Sequence, residues 1–135
     1  GKWFVAEAIG TVRCTPLAQW VIRGRGCVVE SYRLVLPPAD LAERLRDGLQ
    51  PMMGRMYDYR YAPGDDEIYC SELVHKVYER EMGISLGNWQ RLGDLNWKPH
   101  EAFIREMESG NLPLDREMVT PVSLTTSPLL VRVYQ

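Results

Sequence analysis

The chain has 135 residues and a formal net charge of −2; 45% of its residues are hydrophobic and 25% are charged. These values are typical of a globular domain with one hydrophobic core, so we expect a single domain over residues 1–135. The nearly balanced charge, with Lys and Arg scattered among acidic residues, argues against nucleic acid as a partner. No apolar run approaches the roughly 20 residues that a membrane-spanning helix needs, so no membrane span is expected.

The first part of the chain predicts strands around a short helix. Gly10 separates two β-branched segments, which is typical of a hairpin. Thr15 and Pro16 are suited to the N-cap and the first position of a helix, which Gly24 is expected to end. In chain order, we predict strands over 3–8 and 11–15, the short helix up to Gly24, a strand over 26–36 and a helix over 39–49.

The second part predicts two further helices and two late strands. Residues 52–68 are rich in aromatic and then in turn-forming residues, so we expect a loop that leads into the next helix. Helices are predicted over 69–82 and 99–109, and strands over 118–124 and 129–134. This order of elements predicts an α+β fold.

The sequence shows no pattern typical of a cofactor or metal site. The three cysteines have no CxxC spacing, which argues against a disulfide framework and against a zinc ribbon. The two histidines belong to no recognisable metal pattern, and there is no GxGxxG or P-loop motif. We therefore expect neither a metal nor a cofactor.

The three cysteines differ in their predicted surroundings. Cys14 and Cys27 lie in strand-like segments, where a small core residue is expected. Cys70 instead lies in the first turn of a predicted helix, where unpaired N–H groups and the helix dipole stabilise a thiolate. Cys70 is therefore the candidate nucleophile of the chain.

The helical pattern around Cys70 also supports a second interpretation. Leu73, Val74 and Val77 share its helical face, which favours a small buried core residue at this position. The polar residues predicted to point elsewhere are Glu72, His75, Lys76 and Glu79. The position of Cys70 at the helix start thus favours a reactive thiolate, whereas burial of its side chain among core residues would oppose thiolate formation.

A cysteine nucleophile also needs a base, normally a histidine. His75 follows Cys70 by five residues, about 140° around the helix, so a surface position is expected for it. His100 lies at a predicted helix start, where a capping or surface role competes with that of a base. Neither histidine is an obvious partner of Cys70.

Three segments resemble a known family. The string YDYRY, the acidic loop after it and IYCSELVHKVYEREMGISLG are similar to the signature of the permuted papain-like cysteine hydrolases called YiiX or YebB-like, within the NlpC/P60 superfamily. The segments VAEAIGTVRCTPLAQWVIRG and VTPVSLTTSPLLVRVY resemble the earlier and final parts of this family. The resemblance covers most of the chain and implies a permuted papain-like α+β fold, with an antiparallel sheet packed against helices.

The resemblance also implies roles for two residues. Cys70 matches the nucleophile, and Glu7 matches the polar residue that orients the histidine base. In the family this histidine lies in a strand just upstream of the EA segment, in an SHVG-like string, and this sequence has no counterpart. We therefore expect a chain truncated at its N-terminus, with a histidine encoded before Gly1 in a strand that pairs with residues 3–8; true loss of the base is the alternative.

Three polar residues remain open to two interpretations each. Glu7 lies on an otherwise apolar strand face, so it has a polar partner or is an exposed carboxylate at the strand end. Tyr57 and Asp58 resemble the family's YD pair, which implies contact with substrate. A packed loop tyrosine and a turn aspartate are the alternatives for this pair.

Two functional hypotheses follow. The first is a cysteine hydrolase or acyltransferase that cleaves an amide or ester through an acyl-enzyme at Cys70, with a small-molecule, lipid or peptide acyl substrate. The second is a binding or interaction domain that keeps the fold but lacks the base. An upstream histidine is the feature that separates them.

Overall fold

The computed structural model describes residues 1–133. Its strands are β1 (Phe4–Ile9), β2 (Thr11–Pro16), β3 (Ser31–Leu34), β4 (Gln90–Arg91), β5 (Glu117–Met118) and β6 (Leu130–Val133). Its α-helices are α1 (Leu17–Arg23), α2 (Leu41–Leu49), α3 (Cys70–Met82), α4 (Glu101–Met107) and α5 (Pro121–Thr125). Short 3-10 turns cover Arg25–Cys27, Gln50–Met52, Leu92–Asp94 and Lys98–His100.

Within residues 1–133 the strands form three small antiparallel sheets. β1 pairs with β2, β3 with β6 and β4 with β5. The predicted N-terminal hairpin is confirmed: Gly10 takes the turn with φ 64°, a left-handed conformation that glycine adopts without strain. Helices combined with small antiparallel sheets confirm the predicted α+β class.

Two hydrophobic clusters support the fold. The first lies between the β1–β2 hairpin, α2 and α3, and its buried members are Ala8, Val12, Met52, Ile68, Leu73 and Val77. The second lies near β3, β6 and α5, and its buried members are Leu34, Leu86, Val119 and Leu124. α3 contributes to the first cluster directly and to the second through the half-buried Tyr78, so it is the central element of the molecule.

A glycine sets how closely α2 and α3 pack. A Cβ atom at Gly48 would lie 2.6 Å from Cγ of Glu81 and 3.0 Å from Cγ1 of Val77, both on α3. Real Cβ atoms essentially never lie closer than 3.0 Å to such an atom, so a larger residue here would require the Glu81 side chain to move and would crowd Val77. Gly48 therefore allows α2 to pack closely against the helix that begins at Cys70.

The predicted orientation of α3 is partly wrong. Leu73 and Val77 are buried as expected, but Val74 is exposed, and Cys70 is exposed as well. Three polar residues that were expected to point away from the core are buried instead: Glu72, His75 and Lys76. The reason is that α3 is covered on more than one side, so its buried surface includes polar residues that find partners inside the protein.

Two predicted strands are shorter than expected. The segment 26–36 is a strand over 31–34 alone, because Gly26 and Cys27 both have positive φ in the preceding turn. The segment 118–124 contributes only Met118 to a strand and then becomes α5, since the Thr120 side chain accepts a hydrogen bond from the Ser123 N–H at 3.1 Å. The last predicted strand is confirmed over Leu130–Val133, and residue 134 lies outside the described range.

The two other cysteines also differ from expectation. Cys14 and Cys27 are exposed, so the prediction that they are core residues is wrong. The hairpin that contains Cys14 is a two-stranded sheet, and Cys14 lines an open groove beside α2. Cys27 lies in the turn that replaces the start of the predicted strand.

Candidate active site

The first turn of α3 holds Cys70 at the surface of a rigid helix start. Tyr69 is the N-cap, and its backbone N–H donates to Oε2 of Glu72 at 3.4 Å. The hydroxyl of Tyr69 accepts a hydrogen bond from the Val119 N–H at 3.0 Å, and the Ser71 hydroxyl donates to the Val119 carbonyl at 2.7 Å. The residues on both sides of Cys70 are thus tied to the segment between β5 and α5, while its own thiol is exposed.

Cys70 opens onto a cavity of about 570 Å³. Strand β1, including Glu7, and the start of α3 both line it. Most of the remaining lining is aromatic: Trp20 lies on α1, and Tyr57, Tyr59 and Tyr61 lie on the loop that precedes α3. Glu7 and Cys70 therefore border the same cavity.

The hydroxyl of Tyr57 lies close to the sulfur of Cys70. The distance from this hydroxyl to Sγ is 4.0 Å, and the ring centroid of Tyr57 lies 5.0 Å from that of Tyr59 and 6.4 Å from that of Tyr61. Burial, together with the neighbouring Tyr61 hydroxyl and the Cys70 thiol, raises the pKa of Tyr57 well above its ordinary value. Tyr57 is therefore a neutral hydroxyl donor at physiological pH.

Asp58 shapes the loop rather than the cavity. It is buried, and its two carboxylate oxygens accept the N–H groups of Arg60 at 2.9 Å and Ala62 at 2.7 Å. Between those positions, Tyr61 has φ 54°, a conformation that a non-glycine residue adopts only when its surroundings impose it. Asp58 thus stabilises the turn that directs Tyr59 and Tyr61 toward the cavity.

Glu7 is a partnered carboxylate. The Thr15 hydroxyl donates to its Oε1 at 2.5 Å, and Arg23 binds both oxygens, with Nη1 3.0 Å from Oε1 and Nη2 on Oε2. Nε of Arg13 lies 3.6 Å from Oε1. Burial raises the pKa of Glu7, but the hydrogen bonds and charges of Arg23, Thr15 and Arg13 outweigh it and lower the pKa below its ordinary value. Glu7 is therefore ionised at neutral pH.

The two histidines lie away from the cavity, and within residues 1–133 no histidine lines it. His75 is buried, with Nδ1 2.6 Å from the Leu86 carbonyl and Nε2 3.5 Å from Oε2 of Glu79, so its predicted surface position is wrong. Its ring also packs edge-on against Trp89 at 5.3 Å. His100 is exposed in the 3-10 turn before α4, as expected for a capping or surface residue.

A buried charged network lies along α3, the helix that begins at Cys70. It was not predicted from the sequence. Glu72 is fully buried, and its Oε1 lies 2.5 Å from Nζ of Lys76. Lys76 also donates to the Gly64 carbonyl at 2.6 Å and to Oδ1 of Asp65 at 2.8 Å. Burial raises the pKa of Glu72 above its ordinary value, although Lys76 opposes this. The i,i+4 spacing of Glu72 and Lys76 was the available signal for this pair.

Other residues around the cavity were also missed. Arg23 and Thr15 hold Glu7, and Trp20, Tyr59 and Tyr61 line the wall. In the hairpin register Glu7 lies opposite Arg13, which is a pairing that opposite charges favour across an antiparallel ladder. Arg23 lies sixteen residues beyond Glu7 in another element, so no local pattern connects them.

Metal binding and membrane spans have no support in the described residues. Within residues 1–133, no group of three or more His, Cys, Asp or Glu side chains is arranged to hold a metal ion. Over the same residues, no helix combines the length and apolar character that crossing a bilayer requires.

Comparison with known proteins identifies the class of protein that this fold and site define. Residues 1–134 match the family described as permuted papain-like amidase enzymes, YaeF/YiiX, C92 family, and the chain belongs to this family. The resemblance to YiiX-like proteins predicted from the YDYRY and YCSEL segments is confirmed. An amidase family of papain-like fold supports an activity of the cysteine hydrolase kind.

Two YiiX proteins are similar to this chain. The protein described as uncharacterized protein YiiX of Escherichia coli strain K12 is 33% identical over 135 residues, which are 98% of this chain and 67% of that protein. The crystal structure of YiiX from Escherichia coli O157:H7, described as a metalloprotein, has a TM-score of 0.93 at 30% identity and is matched over 99% of this chain and 76% of its own. The permuted papain-like fold is therefore shared along nearly the whole chain.

Proposed function

We propose that this chain carries the active site of a cysteine hydrolase or acyltransferase that acts on an amide or ester bond through an acyl-enzyme at Cys70. The observation that carries the proposal is the exposed thiol at the first turn of α3, which borders the same cavity of about 570 Å³ as Glu7. A cysteine at a helix start is suited to this chemistry because the N–H groups there are free to stabilise negative charge. Membership of an amidase family supports the reaction class.

In the proposed reaction, the Cys70 thiolate attacks the carbonyl carbon of the substrate. The new C–S bond gives a tetrahedral oxyanion, which N–H groups of the first turn of α3 stabilise. The C–N or C–O bond then breaks, the leaving group takes a proton from the protonated base, and a thioester remains on Cys70. Water or another acceptor releases the acyl group, with the base accepting its proton.

We assign the base to a histidine outside residues 1–133. Within those residues β1 pairs with β2 and with no other strand, and β1 lines the same cavity as Cys70. A strand added along β1 would bring a histidine to this cavity and next to Glu7. Oε1 of Glu7 already accepts from Thr15 and Arg23, whereas Oε2 accepts from Arg23 alone and has capacity for one imidazole N–H. Glu7 would thereby orient the histidine.

The cavity lining supports an acyl substrate with an apolar part. Apolar and aromatic side chains form most of the wall, and Glu7 and Cys70 are its charged and nucleophilic groups. We assign Tyr57 to contact with the substrate, since its neutral hydroxyl lies 4.0 Å from the sulfur. Asp58 would support substrate binding indirectly, through the turn that it caps.

The proposal is tested by labelling the full-length gene product with a thiol-directed acylating probe, followed by mass spectrometry. We expect the label on Cys70, and we expect hydrolysis of amide or thioester substrates to fall by about a thousandfold or more in Cys70→Ala. Cys14→Ser is the matched control, because Cys14 is also an exposed thiol but lies outside this cavity. Labelling and turnover that survive Cys70→Ala unchanged would contradict the proposal.

A non-catalytic binding domain is the second candidate. It is favoured by the cavity having no histidine within residues 1–133 and by Glu7 already being paired with Arg23. A comparison of the 135-residue chain with a longer gene product separates the two: hydrolysis by the longer protein alone supports the enzyme with an upstream base. If both proteins bind substrate without turning it over, the second candidate is supported. If both turn it over equally fast, the assignment of the base to an upstream histidine is wrong.

A further inference from the structure

The loop of residues 57–65 is bound to α3 by the buried ammonium group of Lys76 and by the exposed Arg80. Lys76 is 9% exposed, and its Nζ contacts the Gly64 carbonyl at 2.6 Å, Oδ1 of Asp65 at 2.8 Å and Oε1 of Glu72 at 2.5 Å. The contacts to Gly64 and Asp65 are hydrogen bonds, and the contact to Glu72 is an ion pair. Two of them reach the loop, and the third reaches the first turn of α3.

The loop end of this network supports the aromatic wall. Tyr59 and Tyr61 line the cavity of Cys70, and they lie in the chain between Asp58, which caps its own turn, and Gly64, which Lys76 binds. Tyr61 has positive φ, so contacts of its neighbours help to hold the turn. Asp58 binds the turn from within, Arg116 donates to the Arg60 carbonyl at 2.7 Å, and Lys76 binds the end of the loop at Gly64.

The helix end of the network supports the residue next to the thiol. Glu72 accepts the backbone N–H of Tyr69, the residue immediately before Cys70. Since Glu72 is fully buried, its carboxylate depends on Lys76 for charge compensation. Tyr69 in turn packs edge-on against Tyr61 at 5.1 Å, so the two ends of the network meet at one aromatic contact.

We propose that Lys76 is a positioning residue of the candidate active site, which sets the tyrosine wall and the start of α3 relative to each other. It acts through Gly64 and Asp65 on the wall and through Glu72 on the helix start, and it does not touch the cavity itself. The selectivity of Cys70 for the shape of an incoming reagent therefore depends on a residue on the far side of the helix. The catalytic meaning of this inference rests on the proposed function, but the positioning itself is measurable without turnover.

The test uses the double variant Lys76→Met/Glu72→Leu in a Cys14→Ser/Cys27→Ser background. Removing both charges avoids an isolated buried carboxylate, and buried ion pairs replaced by apolar residues commonly leave a folded protein. Arg80→Met is the matched control: Arg80 binds Oδ2 of the same Asp65 at 2.8 Å, but it is exposed and does not contact Glu72. Circular dichroism establishes that each variant is folded.

The first readout is the ratio of the alkylation rates of Cys70 by N-phenylmaleimide and by iodoacetamide. Both reagents react with the thiolate, so a change in ionisation cancels in the ratio, which reports the shape of the wall. We expect the ratio to change by about threefold or more in the double variant and to stay constant in Arg80→Met, because a shifted wall alters access for the bulky ring.

The second readout is amide hydrogen exchange at Arg60 and Ala62. Their acceptor, Asp58, is unaltered in these variants, so faster exchange reports a loosened loop and not a deleted partner. We expect faster exchange in the double variant alone.

A folded double variant with an unchanged reagent ratio and unchanged exchange would overturn the positioning role, even if Cys70→Ala abolishes hydrolysis. If the ratio changes while the full-length protein shows no Cys70-dependent hydrolysis, the positioning role stands and the proposed enzyme fails.

Discussion

On one side of the cavity, Cys70 is followed along α3 by three buried residues, Ser71 to Leu73; on the other side, none of the seven residues of α1, Leu17–Arg23, is buried. The helix side is held by contacts inside the protein. On the hairpin side, Ala8 and Val12 belong to the first hydrophobic cluster, but the polar contacts beside the cavity come from Glu7 and a partly exposed Arg23. Screening by salt and by water weakens exposed charge pairs much more than buried ones. The comparison teaches that removing a buried charged group on the helix side should cost more stability than removing a polar contact of Glu7 on the hairpin side.

The same contrast appears in two glutamates. Burial raises the pKa of Glu72, which depends on a single buried cation, Lys76. The pKa of Glu7 is lowered, because Arg23, Thr15 and Arg13 outweigh its burial. Ionisation of Glu72 therefore opposes folding, and ionisation of Glu7 favours it.

The largest effect is expected from Lys76→Met on the helix side. This change leaves the carboxylate of Glu72 buried without its cation, which should lower the free energy of unfolding by about 3–5 kcal/mol. Arg80→Met, which removes an exposed cation from Asp65, should cost less than about 1 kcal/mol. Urea unfolding followed by circular dichroism measures both. Equal losses in the two variants would remove the distinction between buried and exposed support.

A smaller loss is expected from Thr15→Val on the hairpin side. The substitution keeps the shape of a buried residue and deletes the hydroxyl that donates to Glu7 at 2.5 Å, so we expect a loss of about 1 kcal/mol in the free energy of unfolding. Thr126→Val is the control, since it deletes an exposed hydroxyl that bonds to the Val122 carbonyl, and it should change stability by less than about 0.5 kcal/mol. A Thr15→Val variant as stable as the control would show that the Glu7 contact adds nothing to folding.

The pH dependence of stability sharpens the comparison between the glutamates. The pKa of Glu7 is lower in the folded protein than the ordinary value of 4.5, so its contribution is present above pH 4.5 and is lost as the pH falls through the folded value. Glu7→Gln should therefore be less stable than the parent near neutral pH, and the gap should close on going from about pH 7 to about pH 3. Thermal unfolding across this range measures the gap. A gap that stays constant would contradict the ionised, partnered state of Glu7.

The smallest effect is expected from Cys70→Ser. Because the thiol is exposed to the cavity, we expect the free energy of unfolding to change by less than about 0.5 kcal/mol. Leu73→Ala, one turn along the same helix, removes a buried side chain and should cost about 2–5 kcal/mol. If Cys70→Ser proved as costly as Leu73→Ala, the thiol would be a structural residue after all.

Two Thr-Pro pairs show how far local sequence predicts the fold. Thr120-Pro121 starts a helix, with the threonine side chain accepting the Ser123 N–H. Thr15-Pro16 has the same residues, but both belong to strand β2, where Pro16 pairs with Phe4 and the Thr15 hydroxyl binds Glu7. Helix α1 still begins directly after this pair, with Pro16 as its N-cap and without a side-chain cap. The long-range partner therefore moves the helix start by one residue and takes the threonine hydroxyl away from capping.

The candidate site was predictable to a similar extent. The start of α3 at Cys70 could be predicted, because it depends on local pattern and on resemblance to a family, while the role of Cys70 as the nucleophile stays a prediction. The burial of His75 and Lys76 could not, since their partners are Leu86, Gly64 and Asp65 in segments that fold back onto the helix. A helical-face argument assumes that one face is covered, and α3 is covered on more than one.

The pairing of β3 with β6 has a consequence for the order in which the molecule forms. The Ser31 hydroxyl bonds to the Val133 carbonyl across 102 positions of sequence, whereas the first hydrophobic cluster closes with residues no later than Val77. Joining segments so far apart carries a larger loop-closure entropy and slows folding. During synthesis, the hairpin, α2 and α3 can pack as soon as α3 has emerged, while the second cluster has to wait for Leu130. The nascent chain can therefore form the hydrophobic cluster that supports α3 before Val119, to which Tyr69 and Ser71 bind, has been synthesised.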